Sequence, residues 1–131
     1  AQQLSIAWTQ CLLPFKKQAT LKQTTNLTPA LKFEVALIGD IGGTNLRLRL
    51  VLINSDGSYC YISPLAVYPS QKHKSVDTCI SDFIKKAKRS PSFAVIGICG
   101  PVNDQDNTAV CCMIPKWPMV DGKKIRAANG L

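Results

Sequence analysis

Val35-Ala36-Leu37-Ile38-Gly39-Asp40-Ile41-Gly42-Gly43-Thr44-Asn45-Leu46-Arg47-Leu48-Arg49-Leu50 is the stretch on which the fold of this chain turns. Its first four residues form an uninterrupted apolar run, as expected of a buried strand. After the glycines, Leu46, Leu48, Leu50 and Leu52 alternate with Arg47, Arg49, Val51 and Ile53, the period-two signature of a second strand. The connection between them supports two readings. Gly42-Gly43 suits a tight hairpin turn that wants positive φ. The same residues also suit a phosphate cradle, because glycine lets backbone N–H groups approach an anion closely. In that reading Thr44 adds a hydroxyl donor, and Asp40, ending its strand, holds Mg²⁺ near the phosphates. Alternation alone does not decide which face Arg47 occupies.

Working outward, strands are expected at 33–40, 46–54 and 58–68, with Asn54-Ser55-Asp56-Gly57 turning the second into the third. Pro64 and Pro69 interrupt the third and place its later part at an edge or in a loop. Ser75 then caps a helix running to about Arg89, whose apolar stripe is Val76, Cys79, Ile80, Phe83, Ile84 and Ala87. Asp77 near its start and Lys85, Lys86, Lys88 and Arg89 near its end suit the helix dipole. A buried fourth strand follows at 93–99, a turn at Asp104-Gln105-Asp106-Asn107, a strand at 108–114 and a last helix over about 122–129, closed by Gly130.

Composition sets the class. At 131 residues, 46% hydrophobic and 18% charged, the chain suits one globular body or part of one. No apolar run approaches the ~18 residues a membrane helix needs. Half of the net charge of +8 lies in residues 1–33, which hold four lysines and no acid. Residues 1–32 therefore read as a flexible N-terminal extension, or else as an organelle transit segment, although no arginine is present. The basic cluster at 85–89 reads as a solvated helix face. A nucleic-acid platform would need interleaved aromatics, for which only Tyr59, Tyr61 and Tyr68 are candidates. Six cysteines (11, 60, 79, 99, 111 and 112) include no Cys-x-x-Cys pair, and His73 is the one histidine, expected in a solvated loop. This argues against a zinc site and for reduced thiols, with Cys79 and Cys99 as small core residues. Cys111 and Cys112 would face opposite ways in a strand.

The hairpin Gly39 to Arg47, the strand Ala94 to Val102 ending in Gly100-Pro101-Val102, Trp117, Asp121-Gly122-Lys123-Lys124-Ile125 and the terminal Gly130-Leu131 occur in an order that resembles the bacterial-type glucokinases. These are sugar kinases of the actin/hexokinase superfamily, and the resemblance spans Phe33 to Leu131. It implies an α/β fold with a ribonuclease-H-like (actin-like ATPase) sheet, of which residues 33–131 form an incomplete N-terminal lobe. Three hairpin-joined strands, a helix and a buried strand are the opening of that sheet, the helix carrying the chain to a strand parallel to the first.

The resemblance also implies an activity, the ATP-dependent phosphorylation of glucose to glucose 6-phosphate. ATP and Mg²⁺ would be the cofactors and glucose the sugar. Gly39, Asp40, Ile41, Gly42, Gly43, Thr44 and Asn45 would bind the nucleotide phosphates, with Asp40 holding Mg²⁺ through water. Gly100 and Pro101 would form a substrate loop. In the family the proton-accepting aspartate lies in an Asn-Asp pair on the strand after Gly-Leu, so no catalytic residue is expected within this chain. Glucose and ATP would be its small-molecule ligands, and a homo-oligomer or a missing C-terminal lobe is the further partner expected. The chain departs from the family ahead of Trp117, where Met113 and Ile114 replace the usual Thr-Asn. That departure, the basic surplus and the absent aspartate support a rival reading, a non-catalytic kinase-derived fragment kept for binding or assembly. No nucleic-acid or membrane partner is expected, and reduced thiols place the protein in the cytoplasm, or in an organelle if residues 1–32 are a transit segment.

Overall fold

Strand β1 (Phe33–Ile41) runs antiparallel to β2 (Asn45–Asn54), in a register that pairs Leu37 with Leu50, Gly39 with Leu48 and Ile41 with Leu46. The computed structural model describes residues 33–131, and the expected N-terminal extension at 1–32 lies outside them. Because side chains alternate across a strand, this register sends Leu37, Ile41, Leu46, Leu48 and Leu50 to one buried face. Asp40, Arg47, Ile38, Arg49, Ala36 and Val51 share the other face. Gly39 is glycine for a packing reason: a Cβ there would come within 2.9 Å of Leu48 Cδ2 and 3.3 Å of Ile96 Cγ1.

Helix α1 (Val76–Ala87) crosses the leucine face and delivers the chain to β5 (Phe93–Ile98), which pairs in parallel with β1 as expected. Its N-cap Ser75 accepts a hydrogen bond from the Thr78 N–H, and Val76, Cys79, Ile80 and Phe83 enter the core. The helix ends at Ala87, two residues before the expected stop, because Lys88 adopts a left-handed conformation and donates its N–H to the Ile84 carbonyl. Helix α2 (Gly122–Asn129) lies on the same side, capped by the Asp121 carboxylate and closed by Gly130 at φ 68°. Ile125 enters the core, and Ser81 of α1 donates to Asn129 of α2.

The expected strand at 58–68 is two strands, β3 (Tyr59–Tyr61) and β4 (Ala66–Pro69), both paired with β2. Between the Val51–Tyr61 and Leu48–Ala66 pairs the outer chain spends two more residues than β2. Pro64 cannot donate to a ladder, so the chain bulges, and the Ser63 hydroxyl takes over as acceptor for the Leu50 N–H (2.8 Å). The expected strand at 108–114 contracts to β7 (Thr108–Ala109), flanked in a small sheet by β6 (Val102–Asn103) and β8 (Val120–Asp121). Beyond β7 the chain curls inward, burying Cys111, Ile114 and Trp117 under the main sheet.

Cys99 departs from expectation. It follows the last residue of β5 and is exposed, whereas Cys79 is fully buried. Among the described residues β5 has a ladder partner only on the β1 side, so its far edge carries little cover. Along that edge runs an apolar groove of about 370 Å³, lined by Phe93, Val95, Ile98, Val120, Ile125 and Leu131.

Two outcomes follow from this packing. Leu37→Ala removes a fully buried side chain and should cost about 2–5 kcal/mol, read as a lowered urea midpoint. Residues 1–131 expressed alone should self-associate through the β5 edge, and Val95→Lys, which places a charge there, should shift sedimentation toward monomer. A monodisperse, cooperatively melting monomer of the unchanged chain would contradict the second expectation.

Candidate functional site

The connection from β1 to β2 is closed by its own backbone: the Gly42 N–H donates to the Asn45 carbonyl (2.9 Å). That bond commits the Gly42 amide to the turn. The amides of Gly43 and Thr44 and the Thr44 hydroxyl have no hydrogen-bond partner among the described residues, and Thr44 is exposed. Gly39 and Ile41 are packing residues here, since both point to the core face. Asn45 contributes the carbonyl that closes the turn.

Register also resolves the position of Arg47. It sits directly opposite Asp40 on the outer face, with Nη1 3.5 Å from Asp40 Oδ2, and both side chains are substantially solvent-exposed. An exposed pair of this kind adds little stability, so its value is to set a carboxylate and a guanidinium side by side at the turn. Gly97 faces Asp40 from β5, and a Cβ there would stand 3.9 Å from Asp40 Oδ1. The carboxylate is therefore uncrowded. Arg49 is drawn away, its guanidinium 3.8 Å from the Tyr61 ring centroid and its Nε donating to the Ser63 carbonyl.

Sequence reasoning missed the residue that holds the turn. Ser70, fully buried in a 3₁₀ turn (Ser70–Lys72), donates its hydroxyl to the Gly42 carbonyl (3.0 Å) and its N–H to the Thr44 carbonyl (2.9 Å). The 3₁₀ turn is itself clamped. Trp117 Nε1 donates to the His73 carbonyl (2.9 Å), and Lys116 donates to the Gln71 carbonyl. His73 is half-buried with its ring edge-on to Tyr68, instead of standing free in a solvated loop. Tyr68 in turn donates to Asp82 (2.8 Å), which also pairs with Lys86 (2.7 Å). Burial and Asp82 push the Tyr68 phenol well above its usual range, so it remains a donor. Lys86 and Tyr68 hold Asp82 below the usual carboxylate range.

Met113, which departs from the family pattern ahead of Trp117, lies beside the glycine turn. A Cβ on Gly43 would lie 3.1 Å from Met113 Cβ, so this exposed thioether side chain flanks the turn while Ile114 beside it is buried. Gly100 and Pro101 begin the β6–β7 hairpin: Val110 N–H donates to the Pro101 carbonyl and Cys112 N–H to the Cys99 carbonyl, each 3.1 Å. A Cβ on Gly100 would collide with the Val110 carbonyl, so only glycine fits. The loop reaches the glycine turn through its partner arm, which ends in Met113.

Among the described residues no cluster of three or more His, Cys, Asp or Glu side chains could enclose a metal. A single open carboxylate fits Mg²⁺, which keeps several waters and shares one or two carboxylates with substrate phosphates. The turn thus gathers two unpartnered amides, one hydroxyl and one guanidinium as donors, and one carboxylate as acceptor.

Ser70→Ala should leave the Gly42 carbonyl without its side-chain donor and cost about 1–3 kcal/mol. Hydrogen exchange at Gly43 to Asn45 should accelerate more than exchange in α1; unchanged exchange at the turn would show that Ser70 does not hold it.

A curated glucokinase from Photorhabdus laumondii is 31% identical over 67 residues, covering 51% of this chain and 20% of that protein. The crystal structure of a glucokinase from an Antarctic psychrotroph superposes on 76% of this chain and 30% of its own, with a TM-score of 0.62 and 19% sequence identity, which speaks to the fold. The chain spans about a fifth of the first relative and less than a third of the second. The Glucokinase family model matches residues 37–131, from the middle of β1 to Leu131, and on that match the chain belongs to the glucokinase family.

Proposed function

We propose that the protein containing this chain transfers the terminal phosphoryl group of ATP to glucose, and that residues 39–47 supply its phosphate-binding hairpin. The observation carrying this is the juxtaposition of Asp40 and Arg47 beside the unpartnered Gly43 and Thr44 amides. Phosphoryl transfer is catalysed mostly by positioning and by neutralising phosphate charge, and these groups are suited to both. Asp40 would hold Mg²⁺ through water, and the ion would supply positive charge to the β- and γ-phosphates. The Gly43 and Thr44 amides and the Thr44 hydroxyl would donate to phosphate oxygens, held in place by Ser70. Arg47 would exchange part of its pairing with Asp40 for phosphate. Gly100 and Pro101 would edge the sugar side. Residues 39–47 would thus contribute charge and position to the reaction.

In the protein that carries this chain, Asp40→Ala should lower kcat by roughly 10²-fold or more, the usual loss when a well-placed electrostatic group is removed. Gly43→Val should weaken both ATP binding and turnover, because its side chain meets Met113 and intrudes on the cradle. Lys86→Ala, on the outer surface of α1, should leave kinetics nearly unchanged. Equal behaviour of Asp40→Ala and Lys86→Ala in folded protein would reduce the hairpin to a turn.

A second reading is favoured by Met113 and Ile114. One is apolar and the other is buried, so neither offers a polar group to a sugar. A nucleotide-binding module without sugar chemistry would retain ATP affinity sensitive to Gly43→Val, yet form no ADP in response to glucose.

A further inference from the structure

We propose that Cys99 and Cys112 form a dithiol site that closes to an intramolecular disulfide by exchange with a low-molecular-weight disulfide. The register of the β6–β7 hairpin carries the argument. Val102 pairs with Ala109 and Asn103 with Thr108; beyond the ladder two backbone hydrogen bonds continue the same alignment, Val110 N–H to the Pro101 carbonyl and Cys112 N–H to the Cys99 carbonyl, which sets Cys99 opposite Cys112. Each of these bonds is 3.1 Å long. Opposed residues of a hydrogen-bonded antiparallel pair have Cα atoms about 5.5 Å apart. Disulfides form across Cα separations of about 4.4–6.8 Å. Both cysteines are exposed, so a small reagent reaches them.

The remaining described cysteines do not compete. Cys111 is buried in the core. Cys79 is fully buried on the core face of α1, and burial pushes its thiol up to about 11, which keeps it protonated and unreactive. Cys60 is exposed but lies on β3, across the sheet from β5 with β2 and β1 between them.

The chemistry balances without a bound cofactor. One cysteine thiolate attacks a sulfur of the small disulfide, forming a mixed disulfide and releasing one small thiolate. The opposing cysteine, as thiolate, attacks the protein sulfur of that mixed disulfide, forming the Cys99–Cys112 bond and releasing the second. Two protein thiols are oxidised, the small disulfide is reduced to two thiols, and the cysteine protons end on them. In a reducing compartment such exposed pairs serve as redox sensors more than as structural staples.

The position gives the bond a consequence, which rests on the phosphate-binding reading above. Cys99 follows Ile98, the β5 partner of Ile41, and Cys112 precedes Met113, which flanks Gly43. The crosslink would tie the 110–113 arm to the end of β5 and hold Met113 against the glycine turn.

The test equilibrates reduced protein with mixtures of reduced and oxidised glutathione, quenches by acid and alkylation, and maps thiols by peptide mass spectrometry. The expected result is a Cys99 peptide linked to a Cys112 peptide, with a persistent glutathione adduct on Cys60. In Cys112→Ser the adduct should instead persist on Cys99, its resolving partner having gone; Cys99→Ser should give the mirror result on Cys112. Stable adducts on both Cys99 and Cys112 in the unchanged protein, linkage of Cys112 to Cys111, or no linkage at any ratio would overturn the proposal. Hydrogen exchange at Gly43 and Thr44 should slow in the linked form. Linkage without that slowing would refute the connection to the turn, independently of whether the turn binds phosphate.

Discussion

The antiparallel register of β1 on β2 is the constraint on which the rest depends. It pairs Leu37, Gly39 and Ile41 with Leu50, Leu48 and Leu46 on one face and Asp40 with Arg47 on the other. A shift of one residue would exchange the faces, burying a carboxylate and a guanidinium while exposing the leucines. Burial of those leucines under α1 thus fixes the charged pair at the turn as surely as any contact made by the charges themselves. Their own attraction, between exposed groups, is too weak to do so.

The turn is held from beneath by hydrogen bonds to backbone carbonyls. Ser70 donates to the carbonyls of Gly42 and Thr44, and the 3₁₀ turn that presents Ser70 is fastened by Trp117 and Lys116. Each acceptor used is a backbone carbonyl, and the N–H groups of Gly43 and Thr44 are left without a partner among the described residues. The proposed phosphate site would therefore be preorganised, its dipoles oriented before a ligand arrives. Distant segments, 70–73 and 113–117, converge on one short turn, so its conformation reports on the packing of both.

The arm from Val110 to Met113 links three features that would otherwise be separate. It covers Gly100, which has no room for a side chain; it opposes Cys112 to Cys99; and it brings Met113 to Gly43. The two thiols and the glycine turn are therefore mechanically adjacent.

The sequence by itself determined the parts governed by local periodicity. Alternation from Leu46 to Ile53, the three-and-four spacing from Val76 to Ala87 and the caps Ser75 and Gly130 each act over a few residues and appear in place. The glycine turn is in place too, but neither Gly42 nor Gly43 takes the positive φ expected there; Gly43 is constrained instead by Met113 beside it. The parallel return to β1 was legible too, because a helix between apolar strands has few other routes. Tertiary structure alone decided the remainder. Ser70 is one serine among several in a polar stretch, and only its burial against Gly42 and Thr44 distinguishes it. Pro64 signalled an interruption, but the bulge and the rescue of Leu50 by Ser63 depend on pairing with β2. Cys99 looked like core because its run is apolar; its exposure follows from standing past the end of a strand with cover on one side. The face taken by Arg47 and the opposition of Cys99 to Cys112 are properties of register, set by side chains that pair across the sheet and carried by no local run of residues.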